Sequence, residues 1–488
     1  MRHLRTAAPL AVLALALAGA TAAPVAAAPG PVAVPVAVQA AVPAAAETAV
    51  TEHTGTIDGA RYRVQVPDDW NGTLLLYSHG HYPGEFIPPE FVPFLLANQE
   101  ATADALVDRG YALAASLFQN GGLDLTVPTA VQDQLNVLAW FEQNVGEPER
   151  TFTYGSSMGV VTALELAERE PERVDGVLAV GGVIDVVGSF DAILDLNLAT
   201  KVLLTDGTDA NGNPVELVHA TDPAASRDAL MAALAAAAET EEGRARIELI
   251  ASLHDVTGWY DVLSPEPADA ETRARGQAQW LMWAYTAGLG PSARRGWEAM
   301  LGGNPSSTFD GDWSERLAQS GTAPEVRAAY AAAGLDLDAD LAALDAAPVI
   351  PADPAARAAL AQHRPEGTTP SPVLTIHTTG DGGAPPSSER SFRDRVAQVG
   401  DPSRYRSLYV GRGAHLTVNV AEELVALEAL ETRVETGRWP SLSPQHLNAR
   451  AWAHGPGYFW VFDPVTGVSE HDPAFVHLVP PRHARPSW

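Results

Sequence analysis

Five residues, Gly155-Ser156-Ser157-Met158-Gly159, carry the spacing most able to do chemistry in this chain. Glycines two residues either side of Ser157 leave room for neighbouring backbone at a sharp turn, and the turn presents the Ser157 hydroxyl. Residues 150–154 read as a buried strand and residues 160–170 as a helix, so the turn joins strand to helix. A helix N-terminus favours negative charge beside that hydroxyl, which suits a nucleophile that passes through an anionic intermediate. The plain alternative is a Gly/Ser-rich surface loop; the strand before and the helix after argue against it. Ser156 competes, but its distances to the glycines are wrong for the turn.

A serine needs a base, and the base needs an orienting carboxylate. Two later strands end in short loops that can supply them. Asp381 follows residues 373–377 through Thr378-Thr379-Gly380, and His415 follows residues 405–410 through Gly411-Arg412-Gly413-Ala414. Gly380-Asp381-Gly382-Gly383 is also ordinary turn chemistry, and His415 also reads as a buried structural histidine. Asp185, after residues 174–180, is the rival acid. His471, in Ser-Glu-His-Asp-Pro, reads as solvated. Two weaker patterns are set aside. His79-Gly80-His81 offers two imidazoles without the third ligand that a metal site requires, so no metal is assigned. The tract Thr205 to Asn213 has oxygen ligands between glycines but lacks a closing Glu at the calcium-loop spacing, and reads as a solvated turn.

The elements that must position these residues alternate. Strand-like runs at 61–66, 73–78, 111–116, 150–154 and 174–180 are separated by helical patterns at 97–109, 129–144 and 160–170, which predicts a mostly parallel sheet covered on both faces. The alternation stops over residues 186–370, where Ala-rich helical stretches dominate, and resumes at 373–377. Six tryptophans and tyrosines in that block (Trp259, Tyr260, Trp280, Trp283, Tyr285 and Trp297) read mainly as its own core, with some able to line a cleft.

With this order the chain resembles the α/β-hydrolase fold over residues 51–185 and 371–439. The resemblance implies a nucleophile, acid and histidine in that chain order, hence Ser157, Asp381 and His415, with the backbone N–H groups of Met158 and His81 as oxyanion donors. It divides the chain into a core (51–185 and 371–440), a helical cap insertion (186–370) and a C-terminal β extension (441–488). Gly411 to His415 and Gly437-Arg438-Trp439-Pro440 are similar to secreted esterases of the tannase and feruloyl-esterase kind; those have a cysteine beside the histidine, whereas Leu416 follows His415 here and the chain has no cysteine. The expected activity is ester hydrolysis without a cofactor, on a small-molecule or polymer ester. A secreted aminopeptidase-like peptidase and an inactive binding module are the alternatives. An interfacial lipase would want an apolar lid that this acidic cap does not offer.

Composition narrows the field. A net charge of −29 and 46% hydrophobic residues describe a soluble globular chain that repels nucleic acid and anionic lipid. Arg2 and Arg5 precede an uncharged run from Ala7 to Ala20 and then small residues, the order of an export signal (residues 1–28), with an Ala/Pro-rich linker at 29–50. The run is short for a span, so export without a membrane anchor is expected. Without cysteine there is neither thiol catalysis nor a disulfide framework.

Overall fold

A nine-stranded sheet in the order β1-β2-β4-β3-β5-β6-β7-β8-β11 carries the site. Its strands are β1 (Val50–Ile57), β2 (Ala60–Pro67), β3 (Thr73–Ser78), β4 (Ala112–Ser116), β5 (Arg150–Ser156), β6 (Gly176–Val180), β7 (Val373–Gly380), β8 (Tyr405–Gly413) and β11 (Phe475–Val476); β9 (Trp460–Asp463) and β10 (Gly467–Glu470) form a separate hairpin. The structure is a computed structural model that describes residues 49–84, 87–124 and 126–488, so the expected signal peptide and nearly all of the linker lie outside the described residues. The six strands from β4 to β8 run parallel, while β1, β2 and β11 pair antiparallel at the two edges. Loops leaving the carboxyl ends of β5, β7 and β8 therefore emerge on one edge, where open α/β sheets bind ligands.

The central strands are apolar on both faces because both are covered. Leu75, Tyr77, Phe152, Tyr154, Leu178 and Ile376 share one side with α1 (Glu100–Val107) and with Leu424, Leu427 and Leu430 of the helix Val420–Thr436. Leu74, Leu76, Val177 and Ala179, the alternate positions, meet α2 (Val127–Asn144) and α3 (Gly159–Arg169) on the other. This period of two is what a doubly covered sheet requires.

Between β6 and β7 the chain builds helices: α4 (Val186–Leu204), α5 (Pro223–Ala238), α6 (Glu241–Ser252), α7 (Ala270–Trp280, prolonged as a wider π-type coil over Leu281–Gly288), α8 (Pro291–Leu301), α9 (Trp313–Gln319), α10 (Ala323–Ala333), α11 (Leu337–Asp345) and α12 (Pro354–Ala361). Leu230, Leu234, Ile250, Trp280, Tyr285, Trp313 and Tyr330 make a core of their own there. Trp297 instead joins Phe190, Val186 and Met158 along the seam with the sheet. The tract from Thr205 to Asn213 is a turn whose carboxylates are occupied locally: Asp206 accepts from Thr208, and Asp209 from Asn211 and Asn213.

After β7 come α13 (Ser387–Val399) and α14 (Val420–Thr436). Asn419 and Glu422 close a capping box at the start of α14, and the Asn419 amide also donates to His471 O at 2.8 Å. Beyond Trp439 the sequence pattern predicts β structure only; the structure adds α15 (Pro444–His454) before the strands. Ser443 caps it, Pro444 starts it, and Leu447 and Ala451, four residues apart, bury one stripe. The Asn419→Ala variant is expected to lose about 1 kcal/mol through the cap, read as a lower urea midpoint with an unchanged m-value.

Candidate active site

Ser157 has φ +52°, in the left-handed region that an L-residue rarely occupies. Such a residue costs about 1–3 kcal/mol and persists only where its surroundings over-determine it. Here Ser157 N–H donates to Val180 O at 2.9 Å, and Val183 N–H donates to Ser157 O at 3.2 Å, which tie the turn to the end of β6. The flanking glycines are steric requirements. A methyl group at Gly155 would lie 2.5 Å from Gly159 O, and one at Gly159 would lie 2.1 Å from Ser78 O. Gly80 approaches from the loop after β3; a methyl there would lie 2.8 Å from Ser157 Cβ and 3.4 Å from its hydroxyl oxygen.

Asp381 lies just past β7 and is fully buried. One oxygen accepts from the backbone N–H groups of Gly383 and Ala384, each at 2.9 Å. The other is 2.6 Å from Nδ1 of His415. Burial alone would raise this carboxyl, but His415 and a second histidine, His377, outweigh it and bring it down to about 2. The carboxylate is thus ionised and aimed, which suits a group that orients an imidazole.

His415 is held by its loop. Ala414 and Leu416 on either side have φ +65° and +63°, and Thr378 Oγ1 donates to Ala414 O at 2.8 Å. Arg412, buried just before it, donates to both oxygens of Glu422 and to Thr417 O. His415 and Ser157 are both half-buried, so the open face of the edge lies at these two side chains. No hydrogen bond joins Ser157 to His415; such bonds commonly tighten only when substrate is bound.

Asp185 is placed elsewhere. Its carboxylate accepts from Gly188 N–H, Ser487 N–H and the Ser487 hydroxyl, and caps α4. The backbone N–H groups of Met158 and His81 have no acceptor among the described residues, and both belong to loops that adjoin Ser157. The two imidazoles of the early loop go to separate partners. His81 lies 3.1 Å from both Asp124 O and Gly288 O. The His79 ring stacks on Tyr82, and burial lowers its pKa to about 4, which keeps it neutral.

Two groups near the acid escape a motif search. His377 and Glu389 are wholly buried and bonded to each other, at 3.0 Å, beside Asp381. A histidine in the interior of an apolar strand, four residues before the candidate acid, is the signal that could have found the first. The helical block also reaches the site. Thr257 Oγ1 donates to Gly380 O at 2.7 Å, Trp259 O accepts from Ala414 N–H at 3.0 Å, and Tyr285 donates to Gly382 O at 2.7 Å. A methyl at Gly413 would lie 2.3 Å from the Trp259 ring, and one at Gly382 would lie 2.4 Å from that of Trp280. Both acid and histidine loops are therefore walled by aromatic residues of the block.

The chain is 30% identical over 441 residues to o-phthalyl amidase of Xanthobacter agilis, covering 84% of this chain and 93% of the amidase. The chain belongs to the α/β-hydrolase family. This hydrolase is also 26% identical, over 153 residues, to versiconal hemiacetal acetate esterase of Dothistroma septosporum, covering 30% of this chain and 44% of the esterase. Among solved structures it is similar to feruloyl esterase B from Aspergillus oryzae (14% identity, 87% and 86% of the two chains covered, TM-score 0.35) and to the Pyrococcus furiosus esterase Pf2001 (11% identity, 80% and 93%, TM-score 0.34). No family model matches the chain.

The elbow makes a direct prediction about packing. Gly159→Ala forces a methyl into the Ser78 carbonyl and is expected to cost about 3 kcal/mol, seen as a lower thermal midpoint; Gly121→Ala, where nothing lies within 4 Å, keeps φ +64° strain alone and should cost less.

Proposed function

We propose that this hydrolase is an exported serine enzyme that cleaves a carboxylic ester or amide bond through an acyl-enzyme on Ser157. The observation that carries the reading is the 2.6 Å contact between His415 Nδ1 and the buried Asp381 carboxylate, on the same sheet edge as the strained Ser157 turn. His415 takes the hydroxyl proton as Ser157 attacks the carbonyl carbon, and the Asp381 carboxylate stabilises the imidazolium that forms. Backbone N–H groups of Met158 and His81 receive the negative oxygen. His415 then returns the proton to the leaving alkoxide or amine. In the second half, water loses a proton to His415 and adds to the acyl carbon; the bond from that carbon to Ser157 Oγ then breaks as His415 returns the proton to Oγ, and the acid leaves.

Either bond type is compatible with these residues, and the similarity spanning most of the chain favours an amide. The amidase relative is named for an o-phthalyl group, and the aromatic walls formed by Trp259 and Trp280 suit an aromatic acyl group. Export rests on Arg2, Arg5 and the apolar run that follows them; Edman sequencing of protein recovered from culture medium should find a start within about residues 19–30.

The test is labelling with a fluorophosphonate probe while turnover of a p-nitrophenyl acetate ester and a phthalic acid monoamide is followed. Ser157→Ala should lose the label, and Ser157→Ala and Asp381→Asn should each lose about 10³-fold or more in kcat. Asp185→Asn should keep turnover near wild type. An unlabelled wild-type protein that turns over neither substrate would sink the reading.

A further inference from the structure

The Asp381 oxygen that faces His415 has a second imidazole beside it: His377 Nε2 is 3.2 Å from Oδ2. His377 is on β7 and fully buried. Its Nε2 is also 2.7 Å from Ala384 O, an atom that can only accept, so Nε2 carries hydrogen. Its Nδ1 is 3.0 Å from Glu389 Oε1 on α13, and the other Glu389 oxygen accepts from the Thr375 hydroxyl at 2.7 Å. A neutral ring with hydrogen on Nε2 would turn the Nδ1 lone pair onto a carboxylate. An imidazolium instead donates from both nitrogens and stands between two buried anions, Asp381 and Glu389.

The remaining neighbours do not supply that charge. Tyr405 and Tyr409 of β8 lie near Glu389, and Tyr285 of the helical block donates to Gly382 O. His415 faces Asp381 from the loop after β8. Among the described residues no lysine or arginine pairs with either carboxylate. Burial works against a cation here, but the bonds to Asp381 and Glu389 overcome it and raise His377 to about 10.

We propose that His377 is a positioning residue for the reaction: a buried imidazolium, paired with Glu389, that keeps Asp381 ionised and its Oδ2 turned to His415. The proposal rests on the reading of Asp381 and His415 as acid and base. Without the cation, two buried carboxylates face each other and one of them takes up a proton. When Asp381 takes it, His415 loses its acceptor. Neutralising Glu389 as well leaves a single negative charge, which returns to Asp381.

The decisive comparison is kcat against pH for His377→Gln, Glu389→Gln and the double variant. His377→Gln should be slower by about tenfold or more at pH 7, with KM unchanged and the deficit shrinking as pH rises towards 9. The double variant should be faster than His377→Gln at pH 7. A purely structural role predicts the reverse order and a deficit independent of pH, and either result overturns the proposal. A second measurement needs neither activity nor a stable variant. In wild-type protein with ¹⁵N-labelled histidine, both His377 ring nitrogens should be protonated at pH 8. A folded-state pKa of about 10 against an ordinary value of 6.5 means that the stabilisation is complete below about 6.5 and is lost as pH rises towards 10; the wild-type melting temperature should fall across that window. One unprotonated His377 nitrogen at pH 8 refutes the charge assignment. Full activity in Ser157→Ala sinks the serine reading instead, whatever the nitrogen signals show.

Discussion

Close backbone approach at the Ser157 turn is the constraint on which the rest of the site depends. The left-handed φ of Ser157 exists only because the turn is gripped by Val180 and Val183 from the neighbouring strand end. That grip needs β5 against β6 and α3 packed down on the early loop, and α3 can come so close only because residue 159 has no side chain. The same closeness sets Gly80 against the serine and carries the His81 N–H with it. Strain at one residue is thus balanced by the packing of three elements.

Charge on the other side of the edge is handled differently. Asp381, Glu389, Glu422 and Arg412 are all buried, and each has partners: the first two share His377, the last two pair with each other. Lone buried charges would neutralise or pull their loops apart. Paired, they hold the loops after β7 and β8 in one arrangement, including the two positive-φ residues that flank His415. The rigid pieces are the strand ends, and the half-buried groups that can meet a substrate are Ser157 and His415.

The helical block contributes walls as well as bulk. Trp280 and Tyr285 belong to its own core and, with Trp259, also meet the glycines and carbonyls of residues 380–383 and 413. The geometry of the block and of these two loops is therefore linked: a change in the block that shifts Trp259 also shifts the residues next to Asp381 and His415.

Much of this was legible along the chain. Strand and helix periods marked β3 to β8 and the helices between them, because a doubly covered parallel sheet leaves long apolar runs broken by glycine. Gly155 to Gly159 marked the turn, since its glycine–serine spacing lies within five consecutive residues. Asp381 and His415 could be named from loop positions, and the chain order of the resembled fold set Asp381 ahead of its rival Asp185; three-dimensional packing gives the Asp185 oxygens to Ser487 and Gly188. α15 was missed because its buried stripe has just two residues. His377 and Glu389 were invisible as a pair because residues twelve apart, on a strand and a helix, meet only when the fold packs α13 beside β7. Sequence alone determined which short segments could bear strain and which faces must be covered. Tertiary structure decided which carboxylate meets which histidine, because that choice depends on distances between strand ends that no local pattern encodes.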